Sequence, residues 1–217
     1  TMTTLQLVGL CLFVVLLGFI VRNIHWPEFV ASKQKQHMLF GCAAAVFFLW
    51  IFRASVPGDP SPSVHFMWLV ALTLILGFRY AMIAATIALL GATVIGKESW
   101  AMFGINGTLG IAAPIAFSYM LFMLAFHKLP RNLFIYVFLC AFIPGALAIA
   151  LKIALMSGYY VIDDIYSWSV VKDNYLILIP LLLFPEGMLN GMTMTILIIY
   201  FPGLAYTFHD KFYIDGK

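Results

Sequence analysis

Apolar residues in this chain come in long runs separated by short polar stretches, and the runs do not alternate with polar positions. A hydrocarbon core about 30 Å thick needs roughly 20 apolar residues per helix. The runs predict spans at Leu5 to Val21, Met38 to Phe52, Gly107 to Phe126, Leu133 to Met156 and Tyr175 to Phe201. Residues 65–95 allow two readings: one tilted helix, or two short spans broken at Gly77-Phe-Arg-Tyr80. Runs without alternation speak against a β-barrel. Pro144, Pro180 and Pro185 predict kinks inside spans. Pro57-Gly-Asp-Pro-Ser-Pro62 reads as a stiff loop. The first run lacks a preceding basic residue and a small-residue cleavage signal, so it reads as a span and not as a signal peptide.

Basic residues decide between the two readings of 65–95. With seven spans and the N-terminus outside, the inner segments hold eight of them: Arg22, Lys33, Lys35, Arg79, Lys128, Arg131, Lys211 and Lys217. The outer segments hold only three, Arg53, Lys97 and Lys172, and Lys152 lies within a span. A single helix over 65–95 would place Arg79 in the membrane and leave five on each side. The positive-inside bias therefore favours seven transmembrane helices, N-terminus outside and C-terminus cytoplasmic. The fold class expected is all-α, with residues 1–217 forming a single seven-helix transmembrane domain.

Composition agrees. The chain is 64% hydrophobic and 10% charged, where a soluble domain has roughly a quarter of its residues charged. A net charge of +3 without a dense Lys/Arg cluster excludes nucleic acid as a partner. Membrane lipids are the expected surroundings. Cys11, Cys42 and Cys140 are far apart within apolar spans and have neither zinc nor disulfide spacing.

Glu186 is the one carboxylate at membrane depth, and an ionisable group there costs several kcal/mol unless paired or hydrated. It is either a substrate, coupling or gating residue, or a glutamate that is neutral or paired with lysine to hold two helices in register. Lys152 is its one intramembrane partner of opposite charge. Gly187 and Gly191 form a helix-packing spacing, with Asn190 between them. Met188, Met192 and Met194 could line a copper(I) path or simply fill gaps. His65 is the only histidine on the outer side, where Asp59, Glu98, Asn106, Asp163, Asp164 and Asp173 also fall. A lone histidine is either one metal ligand or a cap. An acidic outer face either concentrates cations or is a solvated loop. No nucleotide-binding loop, zinc-protease or serine-hydrolase motif is present, so the chain is not expected to be an enzyme or to hydrolyse ATP itself.

Four stretches share the order of a known family: Val56-Pro-Gly-Asp-Pro-Ser-Pro-Ser-Val-His65, Leu76-Gly-Phe-Arg-Tyr80, Phe103-Gly-Ile-Asn106 and Gly110-Ile-Ala-Ala-Pro114, with Glu186-Gly187 in the last span. In outline the chain resembles the substrate-specific membrane component of energy-coupling-factor transporters for cobalt and nickel (CbiM/NikM type). The resemblance implies seven spans and a capture site outside, in the inner membrane of a bacterium, with a coupling membrane subunit and ATPase subunits as partners. It also implies a transition-metal ion as substrate. Of the family's capture residues only His65 carries over, because Thr1-Met-Thr-Thr-Leu5 stands where the family has Met-His-x-Pro-Asp-Gly. The chain thus reads as a divergent branch that binds substrate between His65 and the Asn106 loop, with Glu186 deeper. Two other readings remain open: a structural or assembly subunit of a larger membrane complex, and an intramembrane enzyme using Glu186 as acid/base with Lys152 tuning it.

Overall fold

A computed structural model of the protein describes residues 1–55, 63–130 and 132–207. The stiff loop at 57–62 with its Asp59, together with Arg131, Lys211 and Lys217 of the charge count, lies outside the described residues.

Among the described residues the regular structure is helical apart from one pair of two-residue strands. α1 (Thr4–Arg22) starts at a capping box in which the Thr3 hydroxyl accepts from the Gln6 N–H and the Gln6 side chain accepts from the Thr3 N–H. It buries Gln6, Gly9, Phe13 and Ile20, a narrow stripe at helical spacing. The short α2 (Trp26–Ala31) leads into α3 (Lys33–Ile51), which buries Leu39, Ala43, Val46 and Trp50 on one face. β1 (Ala54–Ser55) pairs antiparallel with β2 (Ser63–Val64). α4 (Leu69–Leu76) and α5 (Phe78–Val94) follow. Three long helical stretches complete the fold: α6 (Trp100–Lys128), α7 (Leu133–Ile162) and α8 (Trp168–Tyr200). Among the described residues α1, α6, α7 and α8 are long and apolar enough to cross a membrane, and α5 is a shorter apolar helix.

The prolines act as helix looseners. π-type turns at Thr108–Ala112, Tyr136–Phe142 and Lys172–Leu176 lie just before Pro114, Pro144 and Pro180. A proline cannot donate, and its ring crowds the carbonyl four residues back, so a wider turn relieves both problems. Pro185, by contrast, sits inside an uninterrupted α-helical segment.

Residues 65–95 form two helices, as the charge count favours. The break is at Gly77, whose φ of 79° suits glycine and whose open side receives the Tyr206 ring. α4 does not begin at His65, however: residues 65–68 are non-helical, and α4 has only eight residues, all buried. At 1.5 Å per residue it is about 12 Å long, a half-helix within the bundle.

Glycine contacts set the closest packing. A side chain at Gly104 would overlap the backbone of Gly9 and Leu10, so α1 and α6 meet backbone to backbone. A Cβ on Gly187 would lie 2.9 Å from the Phe142 carbonyl oxygen, and Gly191 faces the same phenylalanine, which realises the small-residue packing of α8 on α7.

Polar contacts sort to two ends of the bundle. One end joins Thr3 to Asp163 (2.5 Å) and Arg53 to Glu98 (2.5 Å). The other joins Arg79 to the Asn23 carbonyl (3.0 Å) and the Tyr206 and Thr207 N–H groups to the Ile75 and Leu74 carbonyls (2.9 and 3.1 Å).

Candidate functional site

α4 begins inside the bundle, so its first N–H groups need acceptors that are not water. α8 supplies them. The Glu186 carboxylate accepts from the Trp68 N–H (2.8 Å), the Met67 N–H (3.1 and 3.3 Å to its two oxygens) and the Asn190 side-chain amide (3.1 Å). Asn190, one turn on, accepts from the Ala71 N–H at 2.8 Å. Glu186 is 1% exposed, and these three donors, with the N-terminal end of the half-helix beyond them, answer its charge. Trp68 holds a left-handed conformation at φ 59°, a strain of about 1–3 kcal/mol. Glu186 on its N–H and Thr193 on its indole N–H (2.9 Å) over-determine it.

These contacts tie α8 to the segment that leads into α4. Ion pairs among the described residues join Glu28 to His25 and Lys35, Arg53 to Glu98, and Lys172 to Asp173; Glu186 and Lys152 are not within ion-pair distance.

His65 precedes this junction and is buried against the Trp50 ring (centroids 5.3 Å apart). Its Nδ1 lies 2.9 Å from the Phe66 carbonyl oxygen. A carbonyl can only accept, so Nδ1 carries the proton and Nε2 keeps its lone pair. That is the arrangement in which metal-binding imidazoles are usually held. A cavity of about 460 Å³ adjoins the ring, lined by Phe52, Arg53, Phe66 and Leu182 among others.

Arg53 organises the rest. Its guanidinium donates to Glu98 (2.5 Å), to the Ser63 hydroxyl (3.1 Å) and to the carbonyls of Lys97 (3.2 Å) and Trp50 (2.9 and 3.1 Å). The other oxygen of Glu98 accepts from Asn106 at 3.1 Å. Lys152, half-buried on α7, lays its stem over Gly110.

The fold thus gathers His65, Asn106, Lys152 and Glu186 toward one end of the bundle with Glu98, one of the expected outer acidic residues, and adds Arg53 and Trp68, which the sequence did not single out. Arg53 reads in sequence as a loop cation after an apolar run, and nothing local to it signals a hub. Asp163 is engaged elsewhere, by Thr3 and by the Tyr159 hydroxyl (2.6 Å). The methionines do not form a path: Met188 and Met192 are 36% and 54% exposed, while Met194 is fully buried. No group of three or more His, Cys, Asp or Glu side chains able to hold a metal ion occurs among the described residues.

The model of a family described as the cobalt uptake substrate-specific transmembrane region matches residues 3–204. The chain belongs to that family. As a member of the cobalt-uptake family it is a multi-pass membrane transport component and not an enzyme. A solved structure described as a truncated transition metal transporter is similar with a TM-score of 0.73 at 15% identity, over 93% of this chain and 94% of the other. Another, described as a transition metal transporter, gives 0.73 at 15% identity, over 94% and 90%. At that identity the likeness is one of fold. Comparison with curated proteins gives no match.

Proposed function

We propose that this cobalt-uptake family member is the substrate-capture component of a transition-metal transporter, for cobalt or nickel, and that His65 is the residue that takes the ion. The observation that carries this reading is the His65 imidazole, whose Nδ1 is engaged by the Phe66 carbonyl and whose Nε2 lone pair is left for a ligand beside a cavity. Imidazole suits cobalt and nickel far better than magnesium or calcium. Water and the oxygen donors around Asn106 complete the coordination. Glu186 is the deeper polar group: by capping α4 it fixes where residues 65–68 run, and with Lys152 it sets the charge beneath the ion.

The protein forms a single domain over residues 1–217 that crosses the cytoplasmic membrane of a bacterium seven times, with its N-terminus outside. The sorting of polar contacts to two ends supports this, since Arg53 and Glu98 gather at one end and Arg79 and Asn23 at the other. Transport requires a coupling membrane subunit and ATPase subunits, because the sequence holds no nucleotide-binding motif.

Elemental analysis of the purified protein tests the reading and names the ion. A stoichiometric transition metal in the wild type that is lost in His65→Ala is expected. Unchanged metal content in the mutant would remove His65 from the site.

A further inference from the structure

His65 has no polar anchor of its own to the rest of the bundle among the described residues. Its ring meets the carbonyl of the next residue, Phe66, which ties the imidazole only to its own segment. Downstream that segment is held by Glu186, at the N–H groups of Met67 and Trp68. Upstream it leaves a strand pair of two residues each, too short to hold itself. Arg53 supplies the missing anchor. Its Nη1 donates to the hydroxyl of Ser63, two residues before His65, at 3.1 Å. Its Nε and Nη2 donate to the Trp50 carbonyl at 3.1 and 2.9 Å. Trp50 in turn packs its ring against the imidazole and donates its indole N–H to the Met67 carbonyl at 3.0 Å. On the far side Arg53 meets Glu98, whose other oxygen accepts from Asn106.

We propose that Arg53 is a positioning residue, which with Glu98 forms a latch that holds His65 in its buried place and ties that place to Asn106. The purpose of the latch rests on the metal-capture reading above, whereas its geometry does not. A planar guanidinium serves a carbonyl, a hydroxyl and a carboxylate at once, which a single ammonium cannot do. The side chains of Arg53 and Glu98 are only 8% and 20% exposed, so water competes little for either. Removing one partner leaves the other charge partly buried and unpaired. The two therefore act as one unit, and the His65 and Asn106 sides of the site keep one mutual geometry.

Carbethoxylation of histidines by diethyl pyrocarbonate, read residue by residue by mass spectrometry on the purified full chain in detergent, tests this without any metal. The exposed His25, His37 and His127 are internal standards. Arg53→Met and Glu98→Ala are each expected to speed the reaction of His65 about ten-fold or more. The double variant is expected to react no faster than the more reactive single one. Hydrogen exchange at the Met67 and Trp68 N–H groups should stay slow throughout, which separates release of the latch from loosening of the bundle. Arg53→Lys, which keeps the charge without the fork, should fall between wild type and Arg53→Met, and it carries the test if Arg53→Met does not fold. Equilibrium dialysis against cobalt(II) should show affinity about ten-fold or more weaker in Arg53→Met. Unchanged His65 reactivity in the variants, additive effects in the double variant, or fast exchange at Met67 and Trp68 overturns the latch and leaves metal capture intact. Faster His65 reaction with unchanged cobalt affinity overturns the positioning role. Faster reaction with no cobalt bound even by the wild type supports the latch and removes the metal reading.

Discussion

α1 and α4 are both runs of leucine, valine and their like, yet the fold uses them in opposite ways. α1 turns Leu12, Val15 and Phe19 outward, 60%, 71% and 67% exposed, and buries only a stripe. α4 buries all eight of its residues. Hydrophobicity cannot be the cause, because in a bilayer lipid is as good a surrounding as protein for a leucine. The difference lies in the ends. A helix of 19 residues can reach toward both interfaces, where water satisfies its terminal groups. A helix of eight ends in the apolar interior, so its orphan N–H and C=O groups need partners from the protein. Asn190 answers the first turn through the Ala71 N–H, and Glu186 answers the two N–H groups just before it. Thr207, whose hydroxyl also meets Tyr136 at 2.6 Å, and the N–H groups of Tyr206 and Thr207 answer the last. The polar residues that look out of place in the sequence are the ones that make a buried half-helix affordable, and the same half-helix carries His65 into the bundle.

Changes at the ends of α4 should therefore matter far more than changes along α1. Glu186→Ala strands two backbone donors, at about 1–3 kcal/mol each, and should cost the most: a large fall in the unfolding midpoint in detergent, with Glu186→Gln falling less because it keeps one acceptor oxygen. Gly77→Ala comes next. Its φ of 79° with ψ of 172° suits only glycine and a Cβ would meet the Tyr206 ring at 2.8 Å, so a loss of about 2–3 kcal/mol is expected. Thr207→Val removes the hydroxyl between Leu74 and Tyr136 and should cost about 1–2 kcal/mol, measurable as faster hydrogen exchange in α4. Val15→Ala on α1 should shift stability by less than about 0.5 kcal/mol. A Val15 variant as damaging as Thr207→Val would break the contrast, and a partner helix covering α1 would then have to be sought.

How far the sequence reaches depends on what kind of signal carries a feature. The apolar runs give the helices, and the distribution of Arg and Lys favours breaking 65–95 near Gly77, where the chain does break. Glu186 and Asn190 stand out because they are polar in an apolar run. Their partners do not: the backbone N–H groups of Met67 and Trp68 belong to every residue alike, and only the fold exposes them. Arg53 is invisible as a hub for a similar reason, since its contacts at Glu98, Ser63 and Lys97 come from segments brought together in space. The methionines mislead in the other direction, because a shared helix face cannot tell a lumen from a lipid surface.

The sequence by itself determined that this is a helical membrane protein, roughly where its helices lie, and which few polar residues would matter. Composition and periodicity are local and additive, and the bilayer makes them decisive. The tertiary structure alone decided that α4 is a half-helix and that Glu186 meets the backbone leading into it and not Lys152. Those outcomes depend on which backbone groups are left unsatisfied when the helices pack, and that is a property of their arrangement.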